Sequence, residues 1–235
     1  LSGQHLTIAE QEIVMSVLEP TVFVVDHDVE LQRTLRRLLE SVRLRVEVFA
    51  NAREFMECCD PARPGCLILE VRMRGMSGLE LFRRLREKGN RIPVIFVTEH
   101  GDIPMAVQAI REGAFHFLQK PVNEQYLLDQ THAAIAQDRQ NRREEAERRA
   151  VRDSVASLSA REREILNEII TGKTNKAMSL QFGVSIKTVE FHRANVMRKI
   201  GAENVVELVH RLIRGGWEQT GGGRAPKGSR LRSHG

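Results

Sequence analysis

The 235-residue sequence predicts a doubly wound (βα)5 domain of the α/β class, joined by a helical linker to an all-α bundle of four helices. Three observations carry this. From Thr21, short apolar runs alternate with helical patterns, the mark of a parallel sheet covered on both faces. Around 137–155 charges of both signs dominate and apolar residues thin out. From Ser159 onward, four amphipathic stretches succeed one another with clear caps and glycine stops.

The strands are read as TVFVV (21–25), LRVEVF (44–49), CLILEV (66–71), PVIFVT (93–98) and FHFL (115–118), rich in the residues that fully buried strands use. Helices are expected over 28–41, 51–58, 78–88, 102–112 and from 124 onward, with Gly89, Gly101 and Gly113 near their boundaries. The domain is bounded at 20–136. Residues 137–155 form a solvated helical linker, because Ile135, Ala146, Ala150 and Val155 keep no heptad. Residues 1–19 read as an N-terminal extension with one weakly amphipathic stretch before Pro20, and Met15 is a natural start for the α/β domain. Residues 218–235 are polar and glycine-rich, and disorder is expected there.

Composition narrows the function. Residues 160–217 hold ten basic and six acidic side chains, whereas the segment before them is mildly acidic, as suits a control domain joined to a polyanion-binding one. No apolar run nears the roughly 20 residues that span a bilayer, so a cytoplasmic protein with no membrane partner is expected. The three cysteines, Cys58, Cys59 and Cys66, suit neither a disulfide framework nor a zinc site. Nucleophile-elbow, phosphate-loop and zinc-protease patterns are absent, so no enzyme is expected.

Ligands of open α/β sheets bind just beyond the carboxyl ends of the strands, which singles out Asp26, His27, Glu70, Thr98 and Lys120. The segments VFVVDHD, LILEVRMRGMSGLEL, VIFVTEHGDIPMAV and GAFHFLQKPV resemble the signature segments of response-regulator receivers, with the FixJ subfamily as the nearest likeness. That resemblance implies an aspartate phosphoacceptor after strand three and a magnesium ion held by acids after strand one. Here the acceptor position is Glu70, the neighbour of Asp26 is His27, and Arg74 replaces a proline usual in the family. Thr98, Lys120 and Pro121 match, and Phe117 stands at the switch-aromatic position.

Glu70 carries its carboxylate one methylene farther out, and errors of about 1 Å cost about 100-fold in rate. Imidazole is a poor ligand for hard Mg²⁺. No cofactor is therefore expected, and magnesium at the vestigial Asp26 and Glu70 site is disfavoured. Glu70 is left with three roles: a weak acceptor, a partial mimic of the phosphorylated state, or one end of a plain salt bridge to Lys120. His27 reads more naturally as a surface histidine than as a metal ligand.

In the C-terminal stretch, Ser159 and Glu162 form a capping box before a helix that turns Ile165, Leu166, Ile169 and Ile170 inward and stops at Gly172. A second helix spans 175–182. Then GVS makes a tight turn, with Ser185 capping a helix over 186–200. On that last helix Val189, His192, Val196 and Ile200 share the inward side. Lys187, Glu190, Phe191, Ala194 and Arg198 line the outward side, with Thr188, Arg193, Asn195 and Lys199 beside it. Such a helix enters the major groove, its cations on phosphates, Glu190 on cytosine N4 and Phe191 on a thymine methyl.

LSAREREIL, TNKAMSLQFGVSIKTVEFHRANVM and VVELVHRLI resemble the LuxR-type DNA-binding domain. The domain is bounded at 156–217, and the resemblance gives His192 a buried, orienting role. Both resemblances together imply a regulator that binds double-stranded DNA and dimerises through the face near 102–130, with a sensor histidine kinase or other protein as its input. Three readings stand: a regulator freed from phosphorylation, an orthodox two-component regulator, and a protein-interaction module that leaves DNA alone.

Overall fold

A computed structural model describes residues 19–58, 60–99 and 101–217. The amphipathic stretch before Pro20 and the tail after Trp217 lie outside the described residues. In chain order the elements are β1 (Thr21–Val25), α1 (Val29–Ser41), β2 (Arg45–Phe49), α2 (Ala52–Cys58), β3 (Gly65–Leu69), α3 (Gly78–Glu87), β4 (Val94–Thr98), α4 (Ile103–Arg111) and β5 (His116–Gln119). They are followed by α5 (Glu124–Ala156), α6 (Ala160–Ile170), α7 (Asn175–Phe182), α8 (Ile186–Ile200) and α9 (Val205–Arg214). The chain forms two compact units that divide between Glu144 and Glu145.

The first unit is a five-stranded parallel sheet of order β2-β1-β3-β4-β5. Because strand side chains alternate, each strand feeds two cores. Phe23, Leu67, Leu69 and Phe96 pack against α2, α3 and α4, while Val22, Ile68, Ile95 and Val97 pack against α1 and α5. Phe23, Phe49 and Phe55 form an aromatic cluster, the last two edge-to-face at 5.3 Å. Truncating a ring of this kind to alanine costs about 3–5 kcal/mol.

Strand three differs from the sequence reading in a useful way. It begins at Gly65 and ends at Leu69, so Glu70 stands just beyond the ladder, tied by its amide to Val25 O at 2.9 Å. Gly65 has φ +146°, and a Cβ there would lie 1.8 Å from the Thr21 carbonyl oxygen. Only glycine lets β3 approach β1 so closely.

The boundary at 136 falls too early, and the stretch 137–155, helical and largely exposed in its middle as expected, is not solvated throughout. Asp138 is buried, and its Oδ2 accepts hydrogen bonds from Gly65 N at 2.9 Å and Arg142 Nε at 2.7 Å. The Arg142 guanidinium also donates to the carbonyls of Pro61, Ala62 and Arg63. The first unit therefore keeps two further turns of α5. Burial, aided by Asp138, pushes the Cys66 thiol up and leaves it an inert, protonated filler.

In the second unit, Val151 and Val155 pack on the core formed by Ile165, Leu166, Met178, Val189, Val196 and Leu208. Gly215 passes so close to Val151 that a Cβ would stand 2.4 Å from its Cγ1. The capping box is complete: Ser159 Oγ accepts from Glu162 N at 3.2 Å, and Ser159 N donates to Glu162 Oε2 at 2.8 Å. Gly183, at φ +64°, ends α7, and Ser185 caps α8 by accepting from Thr188 N at 3.1 Å. Ile170, read as inward, is only half-buried.

Candidate functional site

At the carboxyl edge of the sheet, β1, β3 and β5 bring together Asp26, Glu70 and Lys120. Lys120 Nζ lies 3.1 Å from Asp26 Oδ2 and 2.8 Å from Glu70 Oε2. Both carboxylate side chains are 4% exposed and the lysine 13%, so this is a buried ion cluster. Every oxygen is engaged: Asp26 Oδ1 accepts from Asp28 N at 2.9 Å, and Glu70 Oε1 accepts from Arg72 N at 3.0 Å. The Thr98 hydroxyl also bonds Glu70.

Burial by itself pushes Glu70 up, but the hydrogen bonds from Lys120, Thr98 and the Arg72 amide outweigh it and hold the carboxyl below its ordinary value. Burial likewise pulls Lys120 down, and its bonds to Glu70 and Asp26 more than restore it. Glu70 and Lys120 are thus each held toward their charged forms by the contact between them, and the Asp26 carboxyl lies against the same ammonium.

His27 projects outward, 55% exposed, with Nδ1 3.6 Å from Asp26 Oδ1. Among the described residues no three His, Cys, Asp or Glu side chains converge on a metal site. Magnesium asks for several convergent oxygens at about 2.0–2.1 Å. Here the two acids turn their oxygens to an ammonium and backbone amides, and the third position is imidazole, so the donor set does not fit the ion.

Phe117 is half-buried and packs on Phe96, ring centroids 5.9 Å apart. Gly101 crosses directly over it: a Cβ there would lie 2.6 Å from Phe117 Cε1 and 3.1 Å from Thr98 Cγ2. In sequence Gly101 reads as a helix boundary. It does stand at that boundary, just before the Asp102 cap of α4, and its lack of a Cβ also lets the aromatic ring pack beside Thr98.

On α8, Val189, Val196 and Ile200 are buried, while Lys187, Glu190, Phe191, Ala194 and Arg198 are exposed, Phe191 to 63%. Thr188 is half-buried, its hydroxyl 2.9 Å from that of Ser185 in the cap. Arg193 Nη1 reaches Asn175 Oδ1 at 3.5 Å. Two expectations change. His192 is half-buried rather than buried, its ring 5.6 Å from that of Phe191. Lys199 turns inward, its Nζ 2.6 Å from Glu162 Oε2 and 3.2 Å from Ser157 O, so it is engaged within the bundle. The Lys199 bond, with the Ser159 amide, holds the Glu162 carboxyl down at about 2. No local pattern announces a pair 37 residues apart.

Residues 22–132 match the family described as the response regulator receiver domain, and residues 156–212 match the bacterial regulatory proteins of the luxR family. The transcriptional regulatory protein TdiR of Thauera aromatica is 39% identical over 206 residues, 88% of this chain and 91% of that one. The chain belongs to the FixJ-type response regulators.

FixJ of Bradyrhizobium diazoefficiens is 35% identical over 195 residues, covering 83% of this chain and 95% of its own. Among solved structures, the response regulator StyR aligns with a TM-score of 0.77 at 39% identity, over 83% of this chain and 99% of that one. FixJ-type regulators are transcriptional regulators with a LuxR-type DNA-binding domain, not enzymes, which sets aside a module that leaves DNA alone. Among the described residues no helix is long and apolar enough to cross a membrane.

Proposed function

We propose that this FixJ-type regulator binds duplex DNA through α8 while Glu70, rather than a transferred phosphoryl group, sets the state of its receiver. The observation that carries this is the Glu70 carboxylate, buried and held at once by Lys120 and Thr98. A phosphoryl group on a shorter acceptor would direct its oxygens to the same two partners. Glutamate brings one negative charge where an acyl phosphate brings nearly two, so the switch is set partially. The inward Phe117, with Gly101 laid over it, agrees with a set switch. Attack by the carboxylate on a phosphodonor is opposed by its engagement with Lys120, Thr98 and the Arg72 amide.

On DNA, the exposed cations Lys187 and Arg198 and the half-buried Arg193 neutralise phosphates, while Glu190 accepts from cytosine N4 and Phe191 meets a thymine methyl. The regulator acts as a homodimer in the cytoplasm. Ile103, Val107 and Ile110 form an exposed apolar stripe at helical spacing on α4, and the exposed Tyr126 lies on the first turn of α5, as a self-complementary contact requires. A sensor histidine kinase is not needed for DNA binding in this reading.

Labelling of the full-length protein with acetyl phosphate and Mg²⁺ tests the receiver half. We expect no stoichiometric, acid-stable label on the wild type, and labelling restored by the double substitution His27→Asp and Glu70→Asp. Stoichiometric labelling at Glu70 would restore the orthodox two-component reading.

A further inference from the structure

We infer that the groove between α2 and α3 binds a small organic polyanion of the nucleotide class, a second input to the receiver. The groove has a volume of ≈ 670 Å³, within the roughly 300–1,000 Å³ of sites for small ligands. Its floor includes Met56 and Met76, half-buried and packed on the aromatic core. Around them stand four cations, Arg53, Arg74, Arg84 and Lys88, and a single acid, Glu57.

The cations divide into two kinds. Arg53 is held by Glu57 at 2.8 Å and Arg84 by Glu80 at 2.6 Å, which fixes their planes without consuming every donor. Arg74 and Lys88 form no ion pair with any described residue, although both line the same groove. Unpaired cations beside flexible thioethers call for a ligand with separated charge and a flat apolar body: guanidinium forks take phosphate oxygens, and methionine sulfur packs on an aromatic ring. An inorganic phosphate would leave the methionine floor uncovered.

The site also reaches the switch. Arg74 and Met76 sit on the loop that leaves Glu70, and that loop is tight. Arg72 N donates to Glu70 Oε1, Gly78 N donates to Val71 O at 2.8 Å, and a Cβ on Gly78 would lie 2.1 Å from Glu70 O. A ligand that draws Arg74 toward the groove therefore acts on the backbone holding the Glu70 carboxylate. The groove and its chemistry do not depend on whether Glu70 accepts phosphate.

Calorimetric titration of the full-length protein in EDTA tests this with ATP, pyrophosphate, adenosine and a short polyglutamate peptide. ATP should bind at one site per chain with sub-millimolar Kd, and pyrophosphate and adenosine should each bind at least about tenfold more weakly. Arg74→Ala and Lys88→Ala should each weaken ATP about tenfold, whereas Lys187→Ala, on the DNA face, should leave it unchanged. No ATP binding, equal binding of pyrophosphate or adenosine, tighter binding of polyglutamate, or a loss that follows Lys187 instead of Arg74 would each overturn the proposal. Failure here leaves DNA binding and the role of Glu70 untouched.

Discussion

In the receiver the functional charges lie inside: Asp26, Glu70 and Lys120 are buried at the carboxyl edge of the sheet, each holding the others in place. In the C-terminal bundle the arrangement is reversed. Lys187, Glu190 and Arg198 face solvent, and the inner charge pair, Glu162 with Lys199, staples the start of α6 to the end of α8. A buried cluster couples state to stability, because its one lysine cannot be lost without stranding two carboxylates. An outward face, here the one proposed to meet DNA, separates the two, since its residues can be exchanged without disturbing the core.

Four perturbations sharpen that contrast. The largest effect belongs to Lys120→Met, which leaves two carboxylates buried without their counter-ion and should cost the receiver about 3–5 kcal/mol. Urea unfolding measures it, and an unchanged midpoint would mean the cluster does not stabilise the domain. Next comes Gly101→Ala, where a Cβ 2.6 Å from Phe117 Cε1 forces the ring to move. Overpacking of this kind costs about 1–3 kcal/mol. A crystal structure of the variant should show the ring displaced, and an unmoved ring would remove Gly101 from the switch.

The third perturbation is a paired test. Lys187→Ala should weaken promoter binding and lower the salt slope by about 1, leaving the unfolding curve unchanged. Lys199→Ala should do the reverse, and a salt slope that falls with Lys199→Ala would return that residue to the DNA face.

The smallest effect is a pH dependence of the C-terminal unit. The Glu162 carboxyl is lowered from its ordinary 4.5 to about 2, so the stability it adds is complete above 4.5 and is lost as pH falls toward about 2. Lys199→Met should remove most of that acid dependence in thermal melts, and identical pH profiles would contradict the pairing.

Most of the fold was legible because it rests on local signals. Alternating apolar strands, the Ser159 and Glu162 capping box, and the glycine and serine of the GVS turn each act within a few residues. The same holds for the site, since Asp26, Glu70, Thr98 and Lys120 are strand-end residues and strand ends can be read. The features that stayed hidden depend on distance in sequence. Asp138 meets Gly65 across 73 residues, Lys199 meets Glu162 across 37, and Gly101 matters only because β5 places Phe117 beneath it. A mixed-charge stretch such as 137–155 looks solvated from sequence, yet Arg142 finds three carbonyls there and Val151 finds a core.

The role of Glu70 is tested most directly by fluorescence anisotropy of full-length protein on a labelled promoter duplex, without any phosphodonor, comparing wild type with Glu70→Gln. The substitution keeps the side chain's length and removes its charge. If the carboxylate sets the switch, affinity should fall by at least about fivefold, the low end of ordinary coupling between sites. Equal affinity in two equally folded proteins would show that Glu70 is a salt bridge and nothing more.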